Sequence, residues 1–173
     1  MGMDVYGKNA QSKTGEYFRN NVWAWHPLWD YCLDRHNDVI GDHESAGHRN
    51  DGFSLDSEQA LILGNRLLSD IEIGATAEYR SDYYAELARL PRTDCPHCDA
   101  TGVRTDSVGD DMGMRTRPLD ELTAILVGRT HGWCNGCQGV GTQEPWPCSY
   151  PFDVENVHAF GAFCIASGGF EIC

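Results

Sequence analysis

Eight cysteines are spread over this chain of 173 residues, and four of them fall into two tight pairs, CPHC at 95 to 98 and CNGC at 134 to 137. A C-x-x-C turn aims two sulfurs at one point, so two such turns supply the four ligands of a tetrahedral metal site. Each pair runs into glycine, Thr101-Gly102 after the first and Gly139-Val140-Gly141 after the second. Backbone amides there can turn inward and hydrogen-bond the thiolates. The spacer of 35 residues is long, yet the entropy of closing a loop grows only logarithmically with its length. The expected ligands are Cys95, Cys98, Cys134 and Cys137, holding one structural Zn²⁺. Four thiolates fill the coordination sphere and leave no position for a reacting water, so the expected role is folding rather than catalysis. The competing chemistry is a thiol redox pair, which needs a C-x-x-C at the start of a helix. His97 and His131 stand beside the pairs as possible substitute ligands, and Cys32, Cys148, Cys164 and Cys173 occur singly, as small buried hydrophobes do.

A second candidate is the segment GDHESAGHRNDG, where His43, Glu44, His48 and Asp51 could converge on a catalytic metal, together with His36. His43 and His48 are five apart and Gly47 lies between them, which opposes a helical pair. A solvated loop is the plainer reading. The chain has no G-x-S-x-G elbow, no phosphate-binding loop ending in Lys-Ser or Lys-Thr, and no H-E-x-x-H run.

Charge narrows the partners. Thirteen Lys and Arg face 26 Asp and Glu, a net charge of −13, which opposes non-specific attraction to nucleic acid or an anionic membrane. Four thiolates around one dication would deepen the acidity. The favoured partner is a protein with a basic surface. Acid is densest from Asp30 to Glu58, where eight carboxylates face two arginines, and Asp30, Asp34, Asp38, Asp42 and Glu44 are the expected contact residues. Such a row can imitate the phosphates of a nucleic acid. No stretch approaches the roughly 20 apolar residues that span a bilayer. MGMDVYGKNAQSKTGEYF has no apolar signal core, and Tyr6 stands where a myristoylation signal has Ser or Thr, so the expected compartment is the cytoplasm.

CNGCQGVG is similar to the C-x-x-C-x-G-x-G knuckle in the cysteine-rich domain of DnaJ-type chaperones, while CPHCDATG departs from it at Ala100 and keeps Gly102. Two knuckles rather than that domain's four imply one zinc, and without a His-Pro-Asp motif the resemblance implies no co-chaperone activity. Over a longer span, GEYFRNNVWAWHPLWDYC, GVRTDSVGDDMGM, GRTHGWCNGCQGVG and SGGFEIC resemble a family of bacterial and phage proteins. That resemblance implies a bacterial host cell and no particular reaction.

The elements that must hold these groups follow from periodicity. A strand is expected near Met3 to Tyr6, and an aromatic-rich helix from about Pro27 to His36. Residues 37 to 54 have a loop's composition. A helix capped by Asp56 or Ser57 and closed by Gly74 precedes a second from about Thr76 to Leu90, making a hairpin. Between the cysteine pairs, TGVRTDSVGDDMGMRTRP reads as two short strands around Gly-Asp-Asp, and PLDELTAILVG as a short helix ended by Gly128. A helix from about Asp153 to Ala166, a Gly-Gly stop and a buried terminal strand FEIC complete the chain. The expected fold is α+β, one domain over 1–173 with a small, mostly antiparallel sheet and a zinc-knuckle subdomain at about 92–145. Two functions fit: a zinc-stabilised acidic protein-binding module, such as a phage-encoded inhibitor or modulator of a host protein, or a metal-dependent enzyme using the histidine loop 36–51.

Overall fold

The computed structural model describes residues 2–41 and 47–173. In chain order its elements are β1 (Gly2–Gly7), α1 (Lys13–Glu16), β2 (Tyr17–Asn21), α2 (Val22–Ile40), β3 (Ser54–Leu55), α3 (Ser57–Glu72), α4 (Ala75–Leu87), β4 (Thr93–Asp94), α5 (Ser107–Asp111), α6 (Glu121–Val127), β5 (Thr142–Gln143), a 3₁₀ turn (Trp146–Ser149), α7 (Val154–Ser167) and β6 (Phe170–Ile172). The class is α+β. The chain divides into two compact units, one formed by Met1–Ala88 with Ser149–Cys173 and the other by Arg89–Cys148. Among the described residues, no helix is long and apolar enough to cross a membrane.

In the first unit an antiparallel sheet runs in the order β2-β1-β6-β3. Val5 pairs with Ile172 and Leu55 with Phe170. Their apolar side chains face helices that bury Trp25, Trp29, Phe160 and Phe163. The FEIC strand is therefore an inner strand, as its apolar content indicates. The opening twenty residues provide two strands rather than one, because β2 pairs with Gly2–Tyr6 of β1.

Helix α2 begins a turn before Pro27, since the Asn21 side chain accepts the Ala24 amide at 2.9 Å and supplies the missing cap. It also runs past His36 through a kink there, φ −136° and ψ 29°, to Ile40. The expected loop is correspondingly shorter, because Val39 and Ile40 are buried and hold the last turn onto the core. Trp25 and Trp29, one turn apart, stack with ring planes 10° from parallel and Phe160 set edge-on to both. Asp56 and Gln59 form a reciprocal capping box on α3. Gly74, at φ +82°, turns the chain directly into α4. The hairpin forms, and α3 also crosses α7 at a pair of glycines, Gly64 and Gly161.

A polar network lies on this core. Tyr31 donates its hydroxyl hydrogen to Asp70 at 2.7 Å, and His36 Nε2 reaches the same carboxylate oxygen at 3.0 Å. Burial holds His36 below the ordinary histidine value despite the opposing pull of Asp70.

In the second unit, β4 and β5 form a two-stranded ladder, Thr93 with Gln143 and Asp94 with Thr142. The spacer between the knuckles is folded, but not as two strands around Gly-Asp-Asp. Those residues form α5, because the Asp106 carboxylate accepts the Gly109 amide at 2.9 Å and caps a helical turn. Gly109 is also packed so tightly on the Arg104 carbonyl that a Cβ would lie 2.3 Å from its oxygen.

Candidate metal centre

The β4–β5 ladder brings the two cysteine pairs together. Cys95 follows β4 directly and donates its amide to the Gly141 carbonyl at 2.9 Å, which ties the start of one knuckle to the end of the other. Within the knuckles the same bonds recur. Cys98 donates its amide to Cys95 O and Cys137 to Cys134 O, each at 3.3 Å. Gly102 donates its amide to Cys98 Sγ and Gly141 to Cys137 Sγ, each at 3.2 Å. The inward-turned amides expected after each pair are thus present.

All four sulfurs are buried, and their ligand atoms lie within 4.8 Å of one another. Cys95 Sγ and Cys134 Sγ are 3.9 Å apart, Cys98 Sγ and Cys137 Sγ 3.7 Å. Metal–sulfur bonds of about 2.3 Å in a tetrahedron require sulfur separations of about 3.8 Å. A disulfide would need about 2.05 Å, so neither of these sulfur pairs is covalently bonded. Among the described residues these four form the one group of three or more His, Cys, Asp or Glu side chains placed to share an ion.

The electrostatics favour a cation. Burial lifts the Cys95 thiol and pushes Cys98 up to about 12. Burial acts on Cys137 too and is the largest single influence, but hydrogen bonds from the Gly141 and Gly139 amides and from the Cys98 and Cys134 sulfurs together outweigh it and hold that thiol below its ordinary value. Four sulfurs at van der Waals distance cannot all ionise unless a positive charge sits between them, so proton release and metal uptake are linked. Neither pair stands at a helix start, which removes the geometry that activates a redox C-x-x-C. His97 lies against Gly136, and His131 Nδ1 contacts the Thr130 hydroxyl at 2.9 Å, so the cysteines form the cluster without them.

Sequence reasoning missed two arginines of this unit. Arg129 donates from Nη2 to the Gly139 carbonyl at 2.6 Å, clamping the second knuckle. Arg104 bonds Asp106 and also Asn135, inside the second C-x-x-C, at 2.9 Å from Nη1. Its guanidinium is stabilised chiefly by Asp106 and further by the nearby Cys134 and Cys95 sulfurs. The only hint in the chain is an arginine six residues after Cys98 and another five before Cys134.

The other candidates separate. His36 binds Asp70, whereas His48 meets His26, Nδ1 to Nδ1 at 3.1 Å, and Asp30, at 3.3 Å from Nε2. Asp51 is exposed. The described members of the 36–51 set therefore have different partners and do not converge, and His43 and Glu44 lie outside the described residues, as does Asp42. His48 is not a free loop residue: burial holds it below the ordinary histidine value, against the pull of Asp30. Asp30, Asp34 and Asp38 lie at successive i, i+4 positions on the exposed face of α2. Arg66 Nη1 pairs with both oxygens of Asp38, at 2.7 and 2.8 Å, so this row already carries counter-charge at Asp38 and His48 at Asp30.

Helix α6, which follows the first knuckle and precedes the second, leaves Leu122, Ile125 and Leu126 exposed at 80%, 74% and 72%. Their i, i+3, i+4 spacing makes one apolar stripe beside the acidic Asp120 and Glu121 at the helix start. No protein-family model, curated protein or solved structure matches the chain.

Proposed function

We propose that this chain is a zinc-stabilised acidic protein-binding module that works in the cytoplasm, where a phage would use it to inhibit or redirect a basic protein of its bacterial host. The supporting observation is the contrast within the second unit. Its four sulfurs are spaced for a closed tetrahedral ion, while α6 turns three large aliphatic side chains outward. A closed thiolate site braces a surface rather than performing a reaction. Zn²⁺ is the ion that four thiolates in this geometry favour, with iron the competitor. A contiguous exposed aliphatic stripe rimmed by acid suits an apolar groove with a basic rim on a partner protein. The row Asp30, Asp34 and Asp38 supports contact with a basic surface in the manner of phosphates, and the resemblance to bacterial and phage proteins supports the setting.

The test is affinity capture with zinc-loaded wild type and a Leu122→Glu, Ile125→Glu double variant, at low and moderate salt. Capture of a defined basic protein that the variant loses, and that salt weakens, is the expected result. Equal capture by both baits would overturn the role of α6. Elemental analysis giving iron instead of one zinc per chain would overturn the choice of metal.

A further inference from the structure

We propose that His26 and His48 form a second metal site, a pair of imidazole ligands for a first-row transition-metal ion whose remaining positions are filled by water. This goes beyond the binding reading and does not depend on it.

The two Nδ1 atoms are 3.1 Å apart. Two imidazoles bound to one ion through bonds of about 2.0–2.1 Å hold their nitrogens about 2.9 Å apart at a right angle and about 3.4 Å apart at the tetrahedral angle. The observed separation falls between these limits. Without an ion, the same contact is a single hydrogen bond in which one ring donates and the other accepts. With an ion, both Nδ1 lone pairs are used.

Asp30 decides which nitrogen of His48 is free. Its carboxylate lies 3.3 Å from His48 Nε2, on the far side of the ring from His26. A hydrogen on Nε2 donated to Asp30 leaves the Nδ1 lone pair directed at the space shared with His26. This carboxylate–histidine arrangement is the one that orients imidazole ligands in metal sites. Asp30 also stands four residues after His26, on the same side of α2, so one helix face positions a ligand and the carboxylate that orients its neighbour.

The site is built in advance. Trp25 Nε1 donates to the Gly47 carbonyl at 2.7 Å. Gly47 sits at φ +80°, so close to Trp29 that a Cβ would lie 2.4 Å from the indole. Both tryptophans are fully buried, so the backbone that carries His48 is pinned to the rigid part of the core. Tyr150 presents its ring edge-on to His26, with centroids 5.7 Å apart, and limits the movement of that imidazole. Both histidines are half-buried and Asp30 is exposed, which leaves a route for water and an ion. Neutral imidazoles with open positions favour Cu²⁺, Ni²⁺ or Zn²⁺ over Mg²⁺ or Ca²⁺.

The experiment is calorimetric titration of Ni²⁺ into the full chain with its cysteines already loaded with zinc, and zinc retention checked by elemental analysis of the same sample. One Ni²⁺ per chain is expected. His26→Ala and His48→Ala should each weaken binding by well over tenfold, and Asp30→Asn by about tenfold through loss of orientation. His158→Ala should leave it unchanged. Because the half-buried His26 could matter for folding, His26→Gln and Asp30→Asn are measured alongside, with melting curves confirming that each variant is folded. Absence of Ni²⁺ binding to wild type, or equal affinity in folded His26 and His48 variants, would overturn the proposal and leave a hydrogen-bonded pair only.

Discussion

Gly141 and Ala100 touch across the two knuckles: a Cβ on Gly141 would lie 2.3 Å from the Ala100 carbonyl oxygen. The contact is reciprocal, because a Cβ on Gly102 would lie 2.3 Å from the Gly139 carbonyl. Gly102 and Gly141 each also donate to a sulfur, so the two halves of the centre share one design. Ala100 is the exception, an L-residue at φ +63° where the second knuckle has Gly139 at φ +88°. A non-glycine residue held in that region costs about 1 kcal/mol or more. We predict that Ala100→Gly stabilises Arg89–Cys148 by about 1 kcal/mol, whereas Gly141→Ala prevents its closure. Chelator-challenge rates read both effects, and faster metal loss from Ala100→Gly than from wild type would contradict the first.

Removing one ligand tests the centre itself. Cys134→Ser should lose the metal and unfold Arg89–Cys148, since structural zinc contributes on the order of 10 kcal/mol in such sites. Cys173→Ser, at an exposed thiol, should keep both metal and fold. Unchanged metal content and melting in Cys134→Ser would show that the four sulfurs are not a ligand set.

The crossing of α3 and α7 makes a separate prediction. A Cβ on Gly64 would lie 2.7 Å from the Gly161 carbonyl and 2.8 Å from Ile165 Cγ1. Backbone cannot yield as a side chain does, so Gly64→Ala should destabilise the first unit by about 1–3 kcal/mol. Denaturant unfolding followed by the buried tryptophans measures this. A shift of a few tenths would mean that the helices separate without cost.

Acid should weaken the first unit through His36. Its folded-state value is lowered, so the unfolded chain, with a histidine near its ordinary value of about 6.5, binds the proton more readily. The contribution is therefore complete above about pH 6.5 and declines as pH falls from there toward the lower folded value. His36→Gln should melt lower at pH 7.5 yet lose less on going to pH 5.5. Acid loss of metal acts on wild type and variant alike and cancels in the comparison. Parallel melting curves across this range would refute the assignment.

The four-cysteine cluster was legible because a C-x-x-C pair followed by glycine carries its geometry in neighbouring residues. The inner position of Phe170–Ile172 was legible for a similar reason, because Phe170 and Ile172 fall on one fully buried face while Glu171 between them is exposed. What escaped depended on partners far along the chain. Arg129 serves the second knuckle from across a turn, and Arg104 reaches Asn135 over 31 residues. The pairing of His26 with His48 spans 22 residues and is set by tryptophan packing rather than by spacing. At Asp106 a local cap overrode a pattern that reads as strand and turn, because one carboxylate can satisfy the first free amide of a helix.

The inner strand β6 pairs with β1, although nearly the whole chain separates them, and Arg89–Cys148 lies between them in the sequence as an insertion. On a ribosome this divides folding in time. Arg89–Cys148 is continuous, so it can bring its four cysteines together while the sheet of the first unit still lacks its inner strand. Until Phe170–Ile172 emerges, β1 and β3 expose unpaired edges, and the nascent chain is open to strand exchange with its neighbours. On the proposed reading of the cysteine cluster, metal supply during synthesis and the emergence of β6 thus set two successive checkpoints on the yield of folded protein.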